Sequence, residues 1–207
     1  MGVSLIVFAG GRATRLGGVN KALLAVGGRT IIQRILEEVG PLADERVILA
    51  NDDALSSLSG VRLAYDPEPH AGVLTALANG LATATGELCL AVACDMPFVS
   101  RAVFEYLLRL QREEDADVVI PRTGEVLEPM HAVYRRARVE SAIRDALARG
   151  EQRMISYFAK VHVRQVPGSE LKALDPTGRA FFNVNTPADL AEAQRLVMKS
   201  PPARTES

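Results

Sequence analysis

The sequence has almost no net charge: 24 Lys and Arg stand against 25 Asp and Glu, a formal charge of −1 over 207 residues. No global basic field exists to attract nucleic acid, although a local basic site stays open. Long hydrophobic runs are also missing. The apolar stretch at residues 3–9 (VSLIVFA) is too short to cross a bilayer or to act as a signal segment, no basic stretch precedes it, and no longer run follows. Only two cysteines occur, Cys89 and Cys94. Their odd spacing within one apolar segment puts them on opposite faces of a strand, which argues against a mutual disulfide and leaves a cytoplasmic address as the default expectation. The three histidines, His70, His131 and His162, are scattered without metal-ligand spacing. There is no internal repeat and no linker-like stretch before the C-terminal tail.

What is present is ordinary globular material: 48% hydrophobic and 24% charged residues, a balance that excludes disorder and collagen. The length is that of one domain, or at most two small ones. Residues 3–9 read as a strand buried on both faces of a parallel sheet. Residues 10–20 (GGRATRLGGVN) read as a loop, and residues 30–39 as a helix stopped by Gly40-Pro41. Short strands follow at 46–50 and 61–65, then a loop at 66–72 (DPEPHAG) and a helix of small residues at 73–84. Residues 88–93 (LCLAVA) form the second convincing central strand and run into Cys94-Asp95-Met96-Pro97. Ser100 caps a helix over 101–113. Strands are expected at 117–121, 130–134 and 161–166, helices at 139–148 and 154–159, and an extended piece at 181–184. Thr186-Pro187-Ala188-Asp189 starts a last helix with Thr at N-cap, Pro at N1 and an acid at N3. Strand–helix alternation predicts one α/β domain over 1–198 with a mostly parallel sheet, and a frayed tail over 199–207. Ligands of such sheets bind at strand carboxyl ends, here after Ala9 and after Ala93.

The exit after the first strand carries Gly10, Gly11, Gly17 and Gly18 with Arg12, Arg15 and Lys21. Glycine lets backbone N–H groups approach phosphate oxygens, and Arg and Lys add charge-assisted contacts. The dinucleotide fingerprint is absent because Gly10 and Gly11 are adjacent, and the P-loop is absent because Lys21 lies between Asn20 and Ala22. A solvated flexible loop is the plain alternative; the position directly after a buried strand favours phosphate binding. At the second exit, Asp95 reads either as a turn-initiating residue before Pro97 or as a carboxylate for a metal–nucleotide site opposite the glycine loop. Cys94 reads as a small buried hydrophobe; His70, in the 66–72 loop that should rim the site, reads as a solvated loop residue, with a substrate contact as the alternative. Asn183 and Asn185, two apart, point to one face if the segment is extended; turn chemistry before the helix is the alternative.

The segment FAGGRATRLGGVNK resembles the signature loop of the nucleotidyltransferases, most closely the molybdenum cofactor guanylyltransferases. The resemblance recurs at residues 94–97 (CDMP), 128–134 (EPMHAVY) and 183–187 (NVNTP), covering the chain to about residue 198. It implies a Rossmann-like three-layer α/β sandwich of the nucleotide-diphospho-sugar transferase type. It also implies transfer of GMP from GTP to the terminal phosphate of molybdopterin, with release of pyrophosphate and a need for Mg²⁺. Carried over by motif, Phe8, Ala9 and Gly10 contact the guanine, and Gly11, Arg15 and Lys21 the triphosphate. Asn51 and Asp66 match further nucleotide-contacting positions, Asp95 the Mg²⁺ ligand, and Asn183 and Asn185 the pterin side. Asp95, Lys21 and Arg15 are then the catalytic residues. Asn20 departs from the aspartate common before the lysine, and Phe8 from a common leucine. Partners would be GTP and molybdopterin, with neither nucleic acid nor membrane; transient contact with cofactor-biosynthesis proteins or recipient molybdoenzymes is allowed. The rival readings are cytidylyl transfer to molybdopterin, nucleotidyl transfer to a sugar phosphate, and a nucleotide-binding domain without turnover.

Overall fold

The computed structural model describes residues 2–10, 19–69 and 71–199. Gly11, Arg12, Arg15, Gly17, Gly18, His70 and the tail after Lys199 lie outside the described residues, so the expectations on them are not addressed by it. In chain order, β1 (Val3–Phe8) is followed by a short turn at Lys21–Leu23 and the hairpin β2 (Ala25–Val26) and β3 (Arg29–Thr30). Then come α1 (Ile31–Glu38), β4 (Glu45–Leu49), β5 (Arg62–Ala64), α2 (Val73–Thr83), β6 (Leu88–Ala93) and α3 (Arg101–Glu114). The chain continues through β7 (Val118–Thr123), β8 (Val126–Leu127), β9 (His131–Arg135) and α4 (Arg136–Ala148). It ends with β10 (Val163–Pro167), the single turn α5 (Gly168–Leu171) and α6 (Pro187–Lys199).

The main sheet has the order β10-β7-β9-β6-β1-β4-β5, with β8 paired to β7. β1 lies parallel to both β4 and β6, in a register that aligns Phe8 with Leu49 on one side and Ala93 on the other. β9 alone in this order runs antiparallel to its neighbours β6 and β7. The sheet is therefore mostly parallel, as the alternation of elements requires. Burial explains why β1 is apolar apart from Ser4, whose buried hydroxyl donates to Glu45. Leu5 and Val7 enter the core with α1 and α3, while Ile6 enters the opposite core with α2 and α4. A strand covered on both faces has no polar side to show. Cys94 belongs to the first core and Cys89 to the second, and both thiols are free.

Three helix starts follow the capping rules. Thr30 and Gln33 form a capping box on α1, Ser100 accepts from the Val103 N–H, and Thr186 and Asp189 exchange side-chain bonds at the start of α6. Two expected elements differ. The segment expected to be helical at 154–159 is turns closing on a 3₁₀ turn at Phe158–Lys160. The segment expected to be extended at 181–184 begins inside a 3₁₀ turn, Arg179–Phe181, because the Asp175 carboxylate accepts from the Arg179 and Ala180 N–H groups. The β2–β3 hairpin is an addition. Its loop, Gly27-Gly28, has φ of 61° and 79°, which a two-residue hairpin needs at both positions. At Gly27 there is also no room: a Cβ would lie 2.4 Å from Val197 Cγ1 on α6. Among the described residues no helix is long and apolar enough to cross a membrane.

Candidate active site

Because β1, β4 and β6 end in register, their exits lie side by side at the carboxyl edge. The chain passes from β1 to β4 on one side and returns to β6 on the other, which makes this edge the topological switch point. At the β1 exit, the Phe8 carbonyl accepts from the Cys94 N–H and the Ala9 N–H donates to the Leu49 carbonyl, so these groups belong to the sheet. Gly10 is the first residue beyond it and is exposed. The Phe8 ring does not face the edge. It packs on Gly80 of α2, where a Cβ would lie 2.7 Å from the ring.

Lys21 sits on the short turn that brings the chain back from the glycine-rich segment. Asn20 caps that turn, accepting from the Ala22 N–H at 3.0 Å. The Asn20 Nδ2 donates to the Ala9 carbonyl at 3.3 Å and to Asp52 Oδ2 at 3.0 Å, tying the turn to the β1 and β4 exits. From there the Lys21 ammonium crosses to the β6 exit. It lies 3.2 Å from Asp95 Oδ2 and also donates to Asn185 Oδ1. Both charged side chains are about four-fifths buried, with 17% and 19% exposure. The other oxygen, Asp95 Oδ1, is buried and has no hydrogen-bond partner among the described residues.

The backbone around Asp95 is held from two sides. Cys94 N–H donates to the Phe8 carbonyl and Val184 N–H donates to the Asp95 carbonyl at 2.8 Å; the next residue, Met96, is buried. Met96 Sδ lies 3.5 Å from His131 Nδ1, and the His131 ring is stacked on Phe104 and tilted on Phe181, both at 4.6 Å. Burial pushes the His131 pKa down to about 3, so the ring is neutral and serves as core rather than as a base. The Cys94 thiol is pushed up to about 12 by burial and by the neighbouring Asp95 carboxylate, which removes it as a nucleophile.

The structure separates the two asparagines before α6. Asn185 reaches Lys21, whereas Asn183 turns its Nδ2 back to the Phe181 carbonyl, the turn chemistry that was the alternative reading. Asn51 and Asp66 do meet. The Asn51 amide donates to the Asp66 carbonyl at 3.0 Å and accepts from its N–H at 2.8 Å, locking the β4 exit to the β5 exit. Asp66 Oδ1 accepts from Asn79 Nδ2 at 2.9 Å and from the Glu68 N–H at 3.1 Å. Sequence reasoning missed Asn79 and Asp52. Asn79 had a signal, a single amide buried inside the small apolar helix α2; Asp52 had only its adjacency to Asn51.

A second concavity, of about 270 Å³, lies at the opposite, amino edge between Glu87 and Arg135, Arg136 and Arg138. Arg135 is paired there with Glu87, Asp115 and Asp117, and Arg138 with Asp117. Arg136 donates to the Gly86 carbonyl. Two of the three cations of this concavity are thus ion-paired within the protein, which favours the carboxyl edge as the site.

A glycine-rich exit, a lysine and an aspartate at a Rossmann-like switch point are the parts of a nucleotidyltransferase. The family model of the MobA-like NTP transferase domain matches residues 5–165. Two relatives, the probable molybdenum cofactor guanylyltransferase of Pelotomaculum thermopropionicum and the molybdenum cofactor guanylyltransferase of Desulfosudis oleivorans, are each 34% identical over 195 residues. These alignments cover 94% of this chain and 93% and 96% of the relatives. The crystal structure of molybdopterin-guanine dinucleotide biosynthesis protein A from Archaeoglobus fulgidus superposes with a TM-score of 0.80 at 26% identity, covering 95% of this chain and all of that one. The chain belongs to the MobA-like family of molybdenum cofactor guanylyltransferases and is a nucleotidyltransferase.

Proposed function

We propose that this chain transfers GMP from GTP to the terminal phosphate of molybdopterin, releasing pyrophosphate and forming the guanine dinucleotide cofactor. The observation that carries the reading is the pairing of Lys21 with an aspartate whose second oxygen is buried and has no partner among the described residues, at the joint exit of β1, β4 and β6. Most buried carboxylate oxygens have a hydrogen-bond partner; one for which the described residues offer none, beside a cation, suits a site that gains a further ligand. The names of the two relatives supply the base and the acceptor.

The acceptor is a phosphate monoester with a second pKa of about 6, so it is already mostly dianionic at neutral pH and needs no strong base. That matches a site whose nearby histidine is core and whose cysteine is inert. An acceptor oxygen forms a bond to the α-phosphorus while the bond from that phosphorus to the pyrophosphate oxygen breaks. The Lys21 ammonium, with Arg15 and the Gly11 backbone, receives the charge that collects on the leaving group. Gly10, with the Phe8 and Ala9 backbone behind it, meets the base. Asn51 and Asp66, locked to each other, bound the nucleotide on the β4 side. Asn185 faces the pterin, while Asn183, bonded back to the Phe181 carbonyl, shapes the turn before it.

The donor set fits magnesium, which takes one or two carboxylates together with phosphate oxygens and water. The described residues contain no group of three or more His, Cys, Asp or Glu that would make an all-protein cage, and Asp95 would hold the ion. When bound, it neutralises charge on the triphosphate. A cytoplasmic setting suits the two unpaired thiols.

The test is pyrophosphate release with GTP, CTP or ATP and molybdopterin, with Mg²⁺ present. Release with GTP alone is expected. Release with CTP alone would move the chain to the cytidylyl reading, and nucleotide binding without release would make it a binding domain. With a chiral α-phosphorothioate GTP the product is expected to be inverted at phosphorus; retention would mean a double displacement.

A further inference from the structure

We propose that the Asn20 carboxamide and the Asp52 carboxylate form the positioning pair that holds Lys21 at the mouth of the site, and that residue 20 must be an amide for this. The inference deepens the proposed function and rests on it only for what Lys21 does. Asn20 is 8% exposed and uses its side chain in three directions. Its Oδ1 caps the Lys21–Leu23 turn through the Ala22 N–H, and its Nδ2 reaches both the Ala9 carbonyl and Asp52 Oδ2. Asp52 is itself anchored, accepting from the Ala54 N–H at 3.1 Å through Oδ1, and it has a further partner as well.

Two of the three bonds need a donor at residue 20, and only the cap needs an acceptor. An aspartate would keep the cap and the shape. It would lose both donors and set a second carboxylate about 3 Å from Asp52 Oδ2, where two carboxylates cannot both ionise at low cost. The consequence falls on Lys21, whose backbone is the next residue and whose Leu24 N–H···Lys21 carbonyl bond closes the same turn. Among the described residues, the other charged or titratable groups on the surrounding elements include Asp53 and Tyr65 at the β4 and β5 exits, Lys21 itself, and Cys94 and Asp95 beyond β6.

The experiment compares Asn20→Asp and Asn20→Ser with the wild type from pH 5.5 to 8.5 by two measurements. One is amide hydrogen exchange of the segment 19–26, normalised to the wild type at each pH, which needs no activity. The other is the affinity for GTP with Mg²⁺. For Asn20→Asp the expected result is faster exchange and an affinity roughly ten- to a hundredfold weaker at pH 8.5, both recovering towards the wild type at pH 5.5 as a shared proton restores a donor. Asn20→Ser, which keeps a cap and adds no charge, is expected to lose affinity without that pH dependence. Equal losses for Asn20→Asp at every pH, or none, would overturn the pair. If the wild type does not bind GTP while the exchange pattern holds, the proposed function fails and the pair stands.

Discussion

Asp95→Asn separates catalysis from folding. The Lys21 Nζ to Asp95 Oδ2 distance of 3.2 Å corresponds to a Coulomb attraction of about 5 kcal/mol at an effective dielectric constant of 20. Most of that is offset by the cost of taking two side chains that are four-fifths buried out of water. The amide keeps a hydrogen-bond acceptor for Lys21 and exchanges one buried polar atom without a partner among the described residues, Oδ1, for an NH₂ group of the same size, so the net change in stability is expected to stay within about 1 kcal/mol. For a chain of this length that is a shift of roughly 2–4 °C in Tm. Turnover is expected to fall by about a thousandfold or more, because the carboxylate proposed to hold the metal ion beside the phosphates has lost its charge. The assay is pyrophosphate release at saturating GTP and Mg²⁺, run beside thermal unfolding of the same preparation. Activity within tenfold of the wild type would remove Asp95 from the chemistry. A large Tm loss in parallel with the activity loss would mean that the pair is structural.

Three further outcomes are expected. Gly27→Ala should cost about 2–4 kcal/mol, from strain at φ 61° together with the 2.4 Å clash against Val197, whereas Gly28→Ala, at φ 79° with open space around it, should cost about 1 kcal/mol; urea unfolding reads both. Glu45 is partly buried, which alone would raise its pKa, but hydrogen bonds from Arg62, Ser4 and Thr85 hold it down at about 2. Its stabilisation is therefore complete above its unfolded value of about 4.3 and is lost as the pH falls towards 2. Glu45→Gln should cost about 1–2 kcal/mol at pH 7 after allowance for solvent screening at Arg62, and almost nothing near pH 2; a constant difference across that range would contradict the assignment. Cys94→Ala should keep most of the activity between pH 7 and 9, since its thiol does not ionise there, and a loss of more than tenfold in kcat would return Cys94 to the list of reacting groups.

The architecture was legible because its signals are local. Continuous apolar runs at β1 and β6, the Ser100 cap and the Thr186-Pro187-Ala188-Asp189 start each report what a few neighbouring residues do. Asp95 and Lys21 were legible for the same reason, since each directly follows a recognisable strand or loop. The Gly27-Gly28 hairpin was also readable in principle from its turn chemistry. The piece at 181–184 was not, because an aspartate several residues earlier, Asp175, supplies the acceptors that bend it.

Strand order, the pairing of Lys21 with Asp95 across 74 positions, and the division of labour between Asn183 and Asn185 have no local cause. They arise when three parallel strands end in register and bring their exits within reach of one another. The same is true of the clamp from Asn20 to Asp52, of the buried neutral state of His131, and of the Phe8 ring turned towards α2. Burial and long-range hydrogen bonds depend on which surfaces meet, and residue order alone does not specify that meeting. Hydrophobic periodicity and capping decide which elements form; packing decides which of their polar groups face each other, and the chemistry of the site follows from the second.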